Sequence, residues 1–186
     1  MKCENVLVYD TQEGGTTDNY RAKLTDFSLS VTDLSDTDES GLLKQGLSGT
    51  PSYRPPELGQ GSRNLEPSQA RLVDAWCWGM LLWRVMIDGQ GYIDETKNLE
   101  REALGIEDIE DLHKDDRLAG VATISVQKHL FTYHASENPG IINLVCSLLR
   151  QILVRNTYTS RRAGITEVYN QTYGWFPYLH HGLRSS

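Results

Sequence analysis

The sequence has few cysteines and too few basic residues to balance its acidic ones. Its three cysteines, Cys3, Cys77 and Cys146, lie far apart and form no CxxC pair, so neither a disulfide framework nor a zinc site is indicated. The 18 Lys and Arg residues against 25 Asp and Glu residues leave a net charge of -7, which disfavours nucleic acid and anionic membranes as partners. We therefore expect a reducing, cytoplasmic or otherwise intracellular location.

Export and membrane signals are also missing from the sequence. The first ten residues contain no apolar stretch of signal-peptide length. The most apolar stretch, residues 73–87, includes Asp74 and Arg84, so no membrane-spanning helix is predicted. Hydrophobic residues make up 39% and charged residues 23% of the 186 residues, which is typical of a soluble globular chain.

Periodicity predicts a mainly α fold with a small β-hairpin. Residues 5–10 alternate between apolar and polar, and residues 20–24 resume that pattern after a turn-rich tip. Helices are predicted at 70–88, which is apolar around nearly its whole circumference, at 139–153, which opens on a proline, and near 163–170. Residues 28–40 form a polar loop, and residues 94–116 carry a weaker helical pattern with an acidic, solvated face.

Four short blocks occur in one order along the chain: Lys2 to Asn5 (KCEN), Thr25 to Ser28 (TDFS), Gly49 to Glu57 (GTPSYRPPE) and Asp74 to Gly79 (DAWCWG). In this order and spacing they resemble the C-terminal lobe of a eukaryotic-type, serine/threonine-specific protein kinase, from the catalytic loop onward. The resemblance implies a partial protein kinase domain, a kinase-like C-lobe, over residues 1–172, followed by a C-terminal tail at 173–186.

The resemblance implies roles for the residues nearest to the chemistry. Asn5 and Asp26 would bind Mg²⁺, which neutralises the phosphates of ATP during phosphoryl transfer. Lys2 would be a catalytic residue that contacts the transferred phosphate. Gly49 and Thr50 would shape the substrate-binding loop, and the threonine favours serine and threonine as substrates. An ordinary turn or loop origin is the alternative for Asn5 and Asp26, and a solvated lysine is the alternative for Lys2.

Three further residues look architectural. Glu57 matches the glutamate of the family's APE motif, and Arg162 matches its buried arginine partner, although Arg161 could take that position after a shift of one residue. Asp74 would hold the backbone of the catalytic loop, or would be a helix N-terminal acid favoured by the dipole.

The polar segment between the second and third blocks carries candidate phosphorylation sites at Ser35, Thr37 and Ser48. The alternative is that these residues belong to a merely solvated acidic loop.

The chain departs from the kinase pattern in two ways. The family's His-Arg-Asp triplet would end one position before Met1, and no Gly-rich loop or β3 lysine occurs elsewhere. Ser28 replaces the glycine of the DFG motif. We therefore expect an N-terminally truncated protein kinase that acts on a protein substrate with ATP and Mg²⁺ when complete, and that is inactive as this chain. A non-catalytic, pseudokinase-like module that binds a docking partner is the alternative.

Overall fold

The computed structural model describes residues 1–10, 20–50, 53–58, 64–87, 112, 116–133, 139–154 and 161–173. Over these residues the chain is mainly helical, with one two-stranded antiparallel hairpin, as the sequence predicts. Most of the acidic segment at 94–116 and all of 174–186 lie outside the described residues, so the expectations for them stay predictions. None of the described helices is long and apolar enough to cross a membrane.

The hairpin pairs strand β1, Val6–Asp10, with strand β2, Tyr20–Leu24. The register runs from Val6 opposite Leu24 to Asp10 opposite Tyr20. Because an antiparallel register places the start of β1 beside the end of β2, the residues that flank those ends become neighbours. The backbone N–H of Thr25 accordingly donates to the carbonyl of Asn5 at 2.9 Å.

Among the described residues, four helices follow the hairpin: α1, Pro67–Met86; α2, Leu118–Tyr133; α3, Pro139–Ile152; and α4, Ile165–Tyr173. The first begins earlier than the predicted residue 70, because Pro67 suits a first-turn position where its missing N–H costs no hydrogen bond. The third matches its predicted bounds to within a residue. The fourth ends at Tyr173, which is the first residue of the predicted tail and one residue beyond the predicted end of the domain.

Helix α2 has no counterpart in the elements predicted from the sequence. Its buried face mixes apolar residues with Thr123, Ser125 and His129, which weakens the hydrophobic period. The hydroxyls are satisfied internally: Thr123 donates to the carbonyl of Ala119 at 2.7 Å, and Ser125 accepts from the indole N–H of Trp83 at 2.6 Å. The polar positions are therefore compatible with a core helix, since buried polar groups need partners rather than exposure.

The core lies where α1 packs against α2 and α3. Trp76 and Trp83 of α1 are fully buried, whereas Val85 is 57% exposed. The helix predicted to be buried on all sides is therefore covered on one side and partly open on the other. A Cβ atom added to Gly79 would lie 2.7 Å from Ile152 and 2.9 Å from Leu153, so the absence of a side chain permits close contact between α1 and the end of α3.

An ion pair joins the fully buried Arg162 to Glu57, whose side chain is 20% exposed. Glu57 lies in a short 3-10 turn, Pro56–Leu58, and its carboxylate accepts two hydrogen bonds from the guanidinium, at 2.5 and 3.1 Å. The remaining guanidinium hydrogen bonds go to the carbonyls of Leu72, at 3.1 Å, and Val154, at 3.0 and 3.2 Å. All five N–H donors of a fully buried arginine therefore have acceptors, which is the condition under which a buried charge is tolerated.

Two further contacts distinguish Arg162 from the adjacent Arg161. The guanidinium of Arg162 lies 4.6 Å from the centroid of the Trp76 ring, at a distance suited to a cation–π interaction. Arg161, the alternative partner from the sequence, is 81% exposed and lies 3.8 Å from Glu167. The structure thus assigns the buried position to Arg162.

The ion pair predicts a large loss of stability when the carboxylate of Glu57 is removed. Glu57→Gln should lower the free energy of unfolding by about 3–5 kcal/mol, because it leaves the Arg162 charge buried without its counter-ion. The control, Arg161→Ala, should change it by no more than about 0.5 kcal/mol, since that side chain is exposed. Urea unfolding followed by circular dichroism measures both, and equal effects would contradict the assignment.

Two helical glycines provide a matched test of the α1–α3 contact. Gly79→Ala introduces a methyl group against Ile152, whereas Gly120→Ala, in α2, meets nothing within 4 Å. Both variants improve helix propensity, so their difference in unfolding free energy isolates overpacking, expected at about 1–3 kcal/mol. A Gly79→Ala protein as stable as Gly120→Ala in urea unfolding would show that the helices can separate without cost.

Candidate functional site

A cleft of about 660 Å³ lies between the base of the hairpin, the segment that follows β2 and the N-terminal half of α1. It collects most of the site residues predicted from the sequence. Its lining includes Lys2, Asn5, Asp26, Ser48, Gly49, Thr50 and Asp74. The cleft therefore joins segments that are far apart in sequence, whereas the Glu57–Arg162 pair is not part of its lining.

Asp26 follows β2 directly and has the most unusual backbone in the cleft. Its φ of 58° lies in the left-handed region, which aspartate tolerates better than most residues because its short side chain can hydrogen-bond locally. The Ser28 hydroxyl donates to Oδ1 of Asp26 at 2.7 Å. This bond is the main reason that the pKa of the Asp26 carboxyl is lowered, with smaller contributions from the Ser28 backbone N–H, the Lys2 ammonium and the Asn5 side chain.

Lys2 and Asn5 precede β1, at the same end of the hairpin as Asp26, which follows β2. A 3-10 turn, Cys3–Asn5, leads into β1, and the Asn5 N–H donates to the carbonyl of Lys2 at 3.1 Å. Both side chains are half-buried. The turn and the β1–β2 register together bring an amide, an ammonium and the Asp26 carboxylate to one wall of the cleft.

Gly49 and Thr50 are exposed residues of the cleft lining and are called its rim here. The Arg54 guanidinium donates to the Gly49 carbonyl at 2.8 Å, and the Tyr53 N–H donates to the Thr50 carbonyl at 2.9 Å. These two bonds use the carbonyls of both rim residues. Asp74 is an exposed residue of α1 on the same cleft.

The three candidate phosphorylation sites have different surroundings. Ser35 is exposed and its hydroxyl donates to the Asp33 carboxylate at 2.6 Å, while Thr37 is half-buried and forms an isolated β-bridge with Leu43. Ser48 is exposed and lines the cleft. No residue from Ser28 to Ser40 is buried, in agreement with the polar loop predicted there.

Sequence reasoning overlooked Tyr53, which supports the floor of the cleft. Its side chain is 4% exposed, and its hydroxyl accepts from the Cys3 N–H at 3.3 Å and from the Arg84 guanidinium at 3.5 Å. The Cys77 thiol donates to its carbonyl at 3.3 Å, and burial raises the pKa of that thiol. The sequence feature that could have indicated its role is the position of an aromatic residue inside a Pro- and Gly-rich segment.

The cleft offers oxygen ligands to a cation. Asp26 supplies a carboxylate and Asn5 a carboxamide, and the described residues contain no group of three or more His, Cys, Asp and Glu side chains arranged for metal binding. A small set of oxygen donors suits Mg²⁺, which keeps several waters and takes one or two protein ligands beside substrate phosphates. The donor set thus fits the cation that the sequence resemblance implies.

Comparison with known proteins gives one partial match. The chain is 30% identical over 96 residues to human testis-specific serine/threonine-protein kinase 1, and the match covers 52% of this chain but only 23% of that kinase. No protein-family model matches the chain, and no solved structure matches it significantly. The similarity is therefore kinase-like and restricted to part of the chain.

The hydrogen bond between Ser28 and Asp26 predicts a change in acidity. Ser28→Ala should raise the pKa of the Asp26 carboxyl toward its ordinary value, because its largest stabilising contact with the ionised form is lost. A pH titration of the carboxyl carbon by ¹³C NMR measures it. Ser35→Ala should instead raise the pKa of Asp33 and leave Asp26 unchanged; an Asp26 pKa that is insensitive to Ser28→Ala contradicts the contact.

Proposed function

We propose that this chain is the C-terminal-lobe portion of a protein serine/threonine kinase, which transfers phosphate from ATP to hydroxyl groups of a protein substrate. The observation that carries the proposal is the cleft, which gathers Lys2, Asn5 and Asp26 on one wall and Gly49 and Thr50 on the rim. The partial similarity to a human serine/threonine kinase supports it.

In this proposal the hairpin base holds the metal and the phosphate. The oxygens of Asn5 and Asp26 would bind Mg²⁺, which supplies charge neutralisation for the ATP phosphates. The Lys2 ammonium would contact the phosphoryl group that is transferred, where a fixed positive charge stabilises the transition state. An aspartate carboxyl is ionised at neutral pH and so is in the form that binds a cation; the hydrogen bond from Ser28 lowers the pKa of Asp26 further and fixes the position of Oδ1.

The rim would receive the substrate. Gly49 and Thr50 are exposed, and their carbonyls are already bonded to Arg54 and Tyr53. These bonds hold the loop while its outer surface stays open to an approaching serine or threonine side chain.

A non-catalytic binding module is the second candidate, favoured by apolar side chains exposed beside the cleft. Their exposed fractions are large: Leu7 56%, Val8 64%, Leu24 44%, Phe27 64% and Leu29 68%. Exposed apolar side chains of this size are available for contact with a protein partner. Ser28, which replaces a glycine associated with switching, favours the same candidate.

The two candidates differ in phosphoryl transfer by the longest protein that contains this sequence in frame. That protein, expressed from the transcript that encodes it, should phosphorylate serine and threonine peptides. Asp26→Ala should lower the rate at least about 100-fold, because the charge stabilisation by a bound metal contributes several kcal/mol. The control, Asp33→Ala, removes an exposed aspartate with a similar serine contact outside the cleft and should leave the rate unchanged.

Two outcomes would overturn the kinase proposal in favour of the binding module. One is the absence of transfer by the longest in-frame protein. The other is transfer that survives Asp26→Ala.

A further inference from the structure

The segment after β2 repeats one local arrangement, an aspartate followed two residues later by a serine. The serine hydroxyl donates to Oδ1 of the aspartate in each case, at 2.7 Å from Ser28 to Asp26, 2.6 Å from Ser35 to Asp33 and 2.6 Å from Ser40 to Asp38. The arrangement is thus a property of the local sequence, and its presence at Asp26 needs no function to explain it.

The first copy differs from the others in its location. Asp26 and Ser28 both line the cleft, whereas Asp33, Ser35, Asp38 and Ser40 are not among its lining residues. Asp26 alone of the three aspartates has its backbone in the left-handed region, and its carboxylate also interacts with Lys2 and Asn5. Among the three copies, only here does the serine hydrogen-bond to an aspartate that lines the cleft.

The hydrogen bond restricts the carboxylate without exhausting it. A carboxylate has about four lone-pair positions, and the Ser28 hydroxyl occupies one of those on Oδ1. The carboxylate also interacts with the Ser28 backbone N–H and the Asn5 side chain, which still leaves at least one lone-pair position for a cation. Because Asp26 is exposed, its side chain would otherwise lose rotamer freedom on binding, and the bond to Ser28 removes part of that cost beforehand.

We propose that Ser28 is a positioning residue for Asp26, which holds the carboxylate for a divalent cation bound between Asp26 and Asn5 and strengthens that binding. Hydrogen-bond partners of ligating carboxylates orient the ligand, and removing them lowers metal affinity about 10–100-fold. The proposal rests on the metal site of the proposed function. In it, Ser28 contributes to cation affinity by orienting the carboxylate of Asp26.

A Mn²⁺ titration of the whole chain tests this directly. Mn²⁺ alone is added to ¹⁵N-labelled protein, and the broadening of the amide signals of Thr25 to Ser28 reports local occupancy. Ser28→Ala should weaken the apparent affinity about 10-fold, and Ser28→Gly should do the same. Ser28→Thr keeps the hydroxyl and should restore it. Ser35→Ala removes the equivalent bond outside the cleft and should have no effect.

The outcomes separate this inference from the proposed function. Binding that is abolished by Asp26→Ala but unchanged by Ser28→Ala would overturn the role of Ser28 and leave the metal site standing. Tighter binding by Ser28→Ala would overturn it as well, since the hydroxyl would then compete with the cation. No local broadening in the unsubstituted chain, or broadening insensitive to Asp26→Ala, would overturn both.

Discussion

The structure depends on how one buried charge is satisfied. A guanidinium inside an apolar core is tolerated only when its five N–H donors all find acceptors, and those of Arg162 come from Glu57, Leu72 and Val154. These residues belong to a loop turn, to α1 and to the end of α3. The charge therefore requires three distant parts of the chain to meet, in one arrangement, around a single side chain.

The same requirement defines the geometry of the cleft. Gly49 and Thr50 precede Glu57 in the same segment, and Asp74 follows Leu72 by two residues in α1. Short stretches of chain therefore connect these cleft residues to the ion pair. The opposite wall depends on the hairpin, whose register brings Asn5 and Asp26 to the same end. Tyr53 connects the two parts through the Cys3 N–H and the Cys77 thiol.

Elements with a clear period were predictable from the sequence, and elements with an interrupted period were not. The hairpin, α1 and α3 follow alternation or helical spacing closely. Helix α2 was not predicted, because Thr123, Ser125 and His129 occupy its buried face and interrupt the apolar period. Their place in the core depends on partners that lie elsewhere in the sequence, such as Trp83. The metal-ligand and phosphate roles of Asn5, Asp26 and Lys2 stay predictions, although the cleft brings these residues together.

By itself the sequence determined the mainly helical composition, the hairpin, the acidic charge and the order of four kinase-like blocks, because all of these depend on local residue patterns. Only the tertiary structure decided which of two adjacent arginines is buried. Arg161 and Arg162 have the same chemistry, but one is exposed and the other bonds to a carboxylate 105 residues away. The resemblance of the motifs paired Glu57 with Arg162 but left Arg161 open, because a contact across that separation is set by how the helices pack.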